Sequence, residues 1–270
     1  MPVLTLRWFA PHAGSRSIIP SLGACGIEVR EAGDGPADLA LAMGDATAQA
    51  GWDWSRLHRV PLILYLWDLP PWAVGRGGFN PVFSLAGRLI TLPRPNRSGG
   101  RGGHFSRVRW IARRAREIWV PSGTSSAAVQ KLFGVASRLV PYGVDTGLFG
   151  SDPGQSRDRL MVVCPSPLLP HGNHAALIRA AARSSPKLKL RFLNGGPEQP
   201  GLELLASDLG VDASFDSGAD PAIRLAAFRA AGAVVCSSRY EGFGAAALEA
   251  LATGAPVVAS DIPSHREVLG

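Results

Sequence analysis

Short apolar runs alternate with helical stretches through two successive halves of the 270-residue chain. In the first half the runs Val3–Trp8, Leu39–Met43, Leu62–Leu66 and Glu117–Val120 predict strands. Rich in Val, Ile and Leu, they suit strands buried on both faces of a parallel sheet. Ser125–Phe133 reads as a helix, opened by Ser and Thr cap candidates. Gly75–Gly78 and Ser98–Gly103 read as glycine-rich loops, and Tyr142-Gly143-Val144-Asp145-Thr146 as a turn after a strand at Arg138–Val140.

The polar segment Ser151–Asp158, punctuated by Pro153 and Gly154, places a boundary between residues 1–152 and residues 153–270. Beyond it the pattern predicts strands at Leu160–Cys164, Leu188–Leu193, Ala233–Cys236 and Pro256–Ser260. Helices are expected at Asn173–Arg183, Leu202–Leu209 and Pro221–Ala230, from Gly244 onward, and from His265 to Leu269. Strands alternating with helices imply an α/β protein of two Rossmann-like, doubly wound domains. The second has few strand–helix units to cover its sheet, so it is expected to be incomplete at the C-terminus.

Composition narrows the class. A hydrophobic share of 46% against 18% charged residues fits a globular protein with buried cores rather than a disordered one. No apolar run reaches the roughly 18–20 residues of a membrane span, and the N-terminus lacks the features of a signal peptide. Cys25, Cys164 and Cys236 are widely spaced in apolar surroundings and read as core residues in a reducing cytoplasm. The net charge of +7 is carried mostly by arginine. Arg94, Arg97, Arg101, Arg107, Arg109, Arg113, Arg114 and Arg116 crowd one stretch, opposed only by Glu117 at its end. Such a stretch would attract anionic lipid headgroups or phosphorylated ligands, giving peripheral contact with the inner face of a membrane. The plainer reading is a solvated loop and helix face.

The strongest chemical signal is Glu241-Gly242-Phe243-Gly244-Ala245 leading to Glu249, two carboxylates eight positions apart around a glycine turn. A strand, a glycine turn and a helix start form an anion site, since free N–H groups and the helix dipole both favour a phosphate. A carboxylate just before the turn and another two turns into the helix can then grip sugar hydroxyls on either side of that phosphate. The plainer reading is a carboxylate at a helix N-terminus followed by an exposed helix residue.

Around that pair the residues Ala233–Val268, including Ser237-Ser238 and Thr253-Gly254-Ala255-Pro256-Val257-Val258-Ala259-Ser260-Asp261, resemble the retaining, nucleotide-sugar-dependent glycosyltransferases of family 4. A second block, Ala115–Ser122 with Val140-Pro141-Tyr142-Gly143-Val144-Asp145, resembles the same family, and weaker similarity covers Leu62–Asp68 and Leu160–Ala182. The resemblance implies the GT-B architecture, two Rossmann-like domains facing a cleft. It also implies a nucleotide-diphosphate sugar as co-substrate and no separate cofactor or metal. Glu241 would face the donor sugar as the catalytic carboxylate. The N–H groups of Phe243, Gly244 and Ala245, beside Gly242, would meet the diphosphate, and Glu249 the ribose. Gly14, His171 and Asn173 complete the implied donor-binding set.

Departures from the family pattern are concentrated in Pro165–His174. The family usually carries an arginine and a lysine there against the donor phosphates; here Gly172 stands in the lysine's place and no arginine precedes it. A single charge-assisted donor is worth roughly 3–4 kcal/mol of transition-state stabilisation, so the loss matters. His171 or His174 would substitute if protonated, although an ordinary loop histidine and a helix-start histidine are the plainer readings. A metal held by the two histidines lacks a third ligand nearby. In the first domain Trp67 replaces a histidine often found before the aspartate at Asp68, and Trp67, Trp72 and Phe79 either form a sugar platform or anchor loops.

Two functions therefore compete: hexose transfer with retention to a carbohydrate or lipid-linked acceptor, and binding of a nucleotide sugar or a partner without turnover. A nicotinamide oxidoreductase is disfavoured because no Gly-x-Gly-x-x-Gly follows the first strand. Nucleic-acid binding has no recognised motif here.

Overall fold

The computed structural model describes residues 4–9, 27–31, 35–67, 69, 82–85, 88–91, 101–152, 154–218 and 220–270. The chain forms two compact units, Met1–Asn80 with Leu92–Pro141, and Pro81–Thr91 with Tyr142–Gly270. The division after Pro141 precedes the polar segment 151–158, because Phe149 is buried in the second unit's core and Val144 packs against it.

In the first unit the described strands are β1 (Leu4–Phe9), β2 (Ile27–Glu31), β3 (Leu39–Met43) and β4 (Leu62–Tyr65). The first unit continues with β7 (Glu117–Val120) and β8 (Arg138–Leu139), after a short antiparallel hairpin, β5 (Val82–Leu85) and β6 (Arg88–Thr91), that is grouped with the second unit. The main sheet runs β2-β1-β3-β4-β7-β8 with every pairing parallel. β4 is buried along its whole length, as its unbroken apolar run predicts. Helices α1 (Ala48–His58), α2 (Arg101–Ala112) and α3 (Gly123–Phe133) accompany the sheet. Ser122 caps α3 by accepting the Ser125 N–H at 3.0 Å.

Several elements depart from the sequence reading. Arg101–Gly103, expected within a glycine-rich loop, open α2 instead, while Gly75–Gly78 lie outside the described residues. Helix α1 is not among the elements expected from the sequence; its buried residues are the small Ala48, Gly51 and Ser55, with Trp52 and Trp54 packed against the core beside them. A Cβ at Gly51 would stand 2.7 Å from that of Ala42, so closeness to β3 takes the place of apolar bulk.

The second unit contains β9 (Asp158–Cys164), α4 (His174–Ala182), β10 (Lys189–Phe192), α5 (Gln199–Asp208) and β11 (Asp212–Phe215). It continues with α6 (Pro221–Ala230), β12 (Ala231–Cys236), α7 (Ala245–Ala252), β13 (Val257–Ala259) and α8 (Pro263–Leu269). Its sheet is wholly parallel in the order β11-β10-β9-β12-β13. Alternation along β9 divides the core. Val162 and Cys164 pack with Ile178 of α4 and Leu202 of α5, whereas Val163 packs with Phe228 of α6 and Ala250 of α7. Helices thus cover both faces, the doubly wound arrangement expected from the sequence. Arg157, in the polar segment, donates to Phe228 O at 2.8 Å and to Thr253 O at 3.1 Å, tying the C-terminal ends of α6 and α7 together.

Phe192 is fully buried, stacked on Phe215 with ring centroids 4.8 Å apart. Phe192→Ala is expected to destabilise the unit by about 3–5 kcal/mol, measured as a lowered urea midpoint; a midpoint at the wild-type value would mean that α4 and α5 do not depend on this contact.

Candidate functional site

The sheet order of the second unit creates a crevice. β9 and β12 are neighbours, yet the chain leaving β9 runs through α4 to β10 on one side, and the chain leaving β12 runs through α7 to β13 on the other. Their C-terminal ends remain open between the two helix layers, the place where doubly wound sheets bind ligands. The loops 165–173 and 237–244 meet there, and the sequence-predicted residues His171, Asn173, Glu241, Gly242, Phe243 and Gly244 all lie on them.

Gly244 is the N-cap of α7 with φ +97, a conformation that favours glycine, and no side chain caps the helix. Intrahelical bonding begins with Ala247 N–H donating to Gly244 O at 3.0 Å. The N–H groups ahead of it belong to the orphan donors of a helix start. Phe243 is buried and packs edge-on against Tyr142, with ring centroids 5.3 Å apart, which fixes the turn from below.

Glu241 is half-buried, and its Oε1 accepts a hydrogen bond from Ser238 Oγ at 2.7 Å. Behind it the Ser260 hydroxyl donates to Ser238 O, and His265 Nδ1 lies 2.9 Å from Ser260 O. This chain of bonds reaches from α8 to the carboxylate. The His265 ring also supports the turn, since a Cβ at Gly244 would stand 3.1 Å from its Cδ2. Ser260 and His265 belong to the buried or half-buried interior, so their contribution is to hold Glu241 and the Gly244 turn in place.

The two loops are stapled together. Ser237 Oγ donates to Gly172 O at 2.7 Å, and Arg239 N–H donates to His171 O at 2.7 Å. Arg239 Nη2 also donates to Asn173 Oδ1 at 2.9 Å. Asn173 itself adopts φ +57 at the start of α4. Glu249 forms an ion pair through Oε2 with Arg224 Nη1 of α6 at 2.8 Å, so one carboxylate oxygen is already engaged.

The idea of protonated histidines replacing the loop's cations is corrected by burial. His174 is fully buried, edge-on to Phe192 at 5.8 Å, and burial pushes its pKa down to about 4. Its ring fills the space where a Cβ at Gly172 would stand, 2.0 Å from its Cε1. His171 is also shifted down by burial, with the nearby Glu241 charge pulling it back up. Cys164 and Cys236 are buried free thiols, as expected; burial pushes the Cys164 pKa up to about 12. Gly14, Cys25, Asp68, Trp72 and Phe79 lie outside the described residues. Trp67 packs its ring against Gly44, the loop-anchoring alternative.

Ser238, Ser260, His265, Arg224 and Arg239 escape a reading of the sequence. Only Ser238 and Arg239 carried a local signal, their closeness to Glu241. The others reach the site through packing.

The open switch point, the glycine N-cap of α7 and the carboxylate held by Ser238 meet at the C-terminal ends of the second unit's strands. Residues 151–270 match the family described as Glycosyl transferases group 1. Among curated relatives, a GDP-mannose-dependent alpha-(1-6)-phosphatidylinositol monomannoside mannosyltransferase from Mycolicibacterium smegmatis is 36% identical over 174 residues, 56% of this chain and 43% of the relative. An MMP alpha-(1->4)-mannosyltransferase from Mycolicibacterium hassiacum is 31% identical over 166 residues, 59% of this chain and 40% of the relative. The chain thus spans less than half the length of these relatives. In fold it is similar to Anabaena HepE in complex with UDP-glucose, with TM-score 0.70, 17% identity, and 97% and 82% of the two chains covered. It is likewise similar to sucrose-phosphate synthase from Thermosynechococcus elongatus, with TM-score 0.74, 15% identity and the same coverages. The fold is therefore the α/β GT-B type, with parallel sheets in both units.

An unfolded histidine titrates near 6.5 and the folded His174 near 4, so between these values the unfolded state binds the proton first. Stability is expected to fall by about 3 kcal/mol as pH drops through that window, then level off. Urea midpoints from pH 7 to 4 measure this. His174→Asn should lose that part of the slope; a slope kept in the variant assigns it to other groups.

Proposed function

We propose that the chain is a glycosyltransferase that moves a hexose from a nucleotide-diphosphate sugar to a carbohydrate or lipid-linked acceptor with retention of configuration. The observation that carries this is the Glu241 carboxylate, held by Ser238 at 2.7 Å, beside an uncapped helix start at a topological switch point. The family match over 151–270 supports it. The nucleotide sugar is a co-substrate, and the reading requires no further cofactor or metal.

In this reading the donor diphosphate sits on the amides of Phe243, Gly244 and Ala245, which meet the negative charge that develops as the sugar leaves. Glu241 accepts hydrogen bonds from the sugar hydroxyls and orients the anomeric carbon. A phosphate oxygen of the donor takes the acceptor proton on the same face, which yields retention. Glu249 offers its remaining oxygen to the ribose hydroxyls while Arg224 holds the other. His171, Asn173 and Gly242 line the donor, and Gly14 is proposed for the donor side from the first domain, residues 1–152.

A binder without turnover is the second reading, favoured by the absence of Lys and Arg from 165–173 and by the neutral His174. Transfer and donor hydrolysis with GDP-mannose and UDP-glucose decide between them. Glu241→Ala should lower turnover by 100-fold or more, on the order of 3 kcal/mol or above, with the thermal midpoint kept. Unchanged turnover sinks the role of Glu241; nucleotide-sugar binding with no nucleotide release in the wild type favours the binder.

Peripheral membrane contact is a further part of the proposal. In the first unit Arg56, Arg59, Arg114 and Arg116 line one concavity of about 620 Å³ beside Trp52. Leu57 of α1 and Trp110 of α2 are both exposed. Among the described residues no helix is long and apolar enough to cross a membrane. Co-sedimentation should be greater with anionic than with neutral vesicles and should weaken as salt rises. Equal recovery on both would remove this contact from the proposal.

A further inference from the structure

Which cation meets the donor's negative charge is answered by geometry rather than by the loop that follows β9. That loop, 165–173, contains neither Lys nor Arg. It has no room for one at position 172, where any Cβ would collide with the buried His174 ring. Elsewhere near the site, Arg224 is engaged by Glu249 at 2.8 Å and Arg266 by Asp261 at 2.7 Å.

Arg239 differs. It stands two residues before Glu241, on the loop after β12, and is exposed. Its backbone is pinned to His171 O at 2.7 Å, and its guanidinium is held by a neutral amide oxygen, Asn173 Oδ1, at 2.9 Å. The head group is thereby anchored over the cation-free loop without a carboxylate at contact distance among the described residues. Its field is felt across the strand ends. Glu198, on the loop after β10, is raised by burial and drawn back down by Arg239.

We propose that Arg239, swung over the β9 loop and steadied by Asn173, is the residue that binds the diphosphate of the nucleotide donor. The inference rests on the donor site described above and adds the group that neutralises its ligand. A guanidinium offers paired N–H donors matched to phosphate oxygens. Asn173 then acts as a positioning residue, holding the arginine rather than only the ligand. The donor's charge is met by one side chain from the β12 loop together with the α7 amides.

Isothermal titration with GDP and UDP, and in parallel with guanosine and uridine, tests this. For whichever diphosphate the wild type binds, Arg239→Gln should weaken affinity by about 10- to 100-fold and flatten its salt dependence. Binding of the matching nucleoside should be unchanged, and Arg239→Lys should recover part of the loss. Asn173→Ala should give a smaller loss of the same diphosphate-selective kind. Diphosphate binding by Arg239→Gln at wild-type strength overturns the inference, as does an equal loss for nucleoside and diphosphate, which marks a structural role. If the wild type binds neither GDP nor UDP, the donor-site reading fails together with it, and this is seen before any variant is made.

Discussion

The second unit depends on one topological constraint, the departure of the chain in opposite directions from two adjacent parallel strands. β9 hands over to α4 and β12 to α7, and alternating side chains along β9 send Val162 and Cys164 to one helix layer and Val163 to the other. No helix can then lie across the C-terminal ends of both strands. The polar backbone there is left to loops, and those loops must satisfy one another. They do so through Ser237, Arg239 and Asn173, while the helix start at Gly244 stays without a side-chain cap. A site of this kind follows from strand order before any particular ligand is considered.

Charge is distributed around the crevice with economy. Glu249 is balanced by Arg224 across two helices of the same layer, and Glu241 accepts a hydrogen bond from the Ser238 hydroxyl. Two buried thiols, Cys164 and Cys236, lie close enough to Glu241 for its charge to reinforce the effect of their burial.

Local patterns made nine of the thirteen described strands and the glycine turn after β12 legible in the sequence, because each is encoded within about ten residues, whereas β2, β5, β6 and β11 went unread. Parallel strands of Val and Leu announce themselves by composition, and the Gly-Phe-Gly turn by its position after one of them. What stayed hidden depends on distance along the chain. Arg224 meets Glu249 from 25 residues away and Arg239 meets Asn173 from 66. His265 acts through Ser260 and Ser238, two steps removed from the carboxylate it supports. Helix α1 also went unread, although Trp52 and Trp54 pack against the core beside its small buried residues.

Gly172, His174 and Arg239 form a linked set rather than three separate departures. An imidazole buried against Phe192 must be neutral, and being neutral it can occupy the space beneath position 172 without a partner charge. That occupancy confines 172 to glycine, which removes any side chain from the place where a cation would otherwise reach the crevice. The Gly172 carbonyl accepts from Ser237 and the adjacent His171 carbonyl from the Arg239 amide, so the β12 loop is tied to the β9 loop. The Arg239 guanidinium is held at that loop by Asn173 Oδ1, while the His174 ring fills the space beneath position 172.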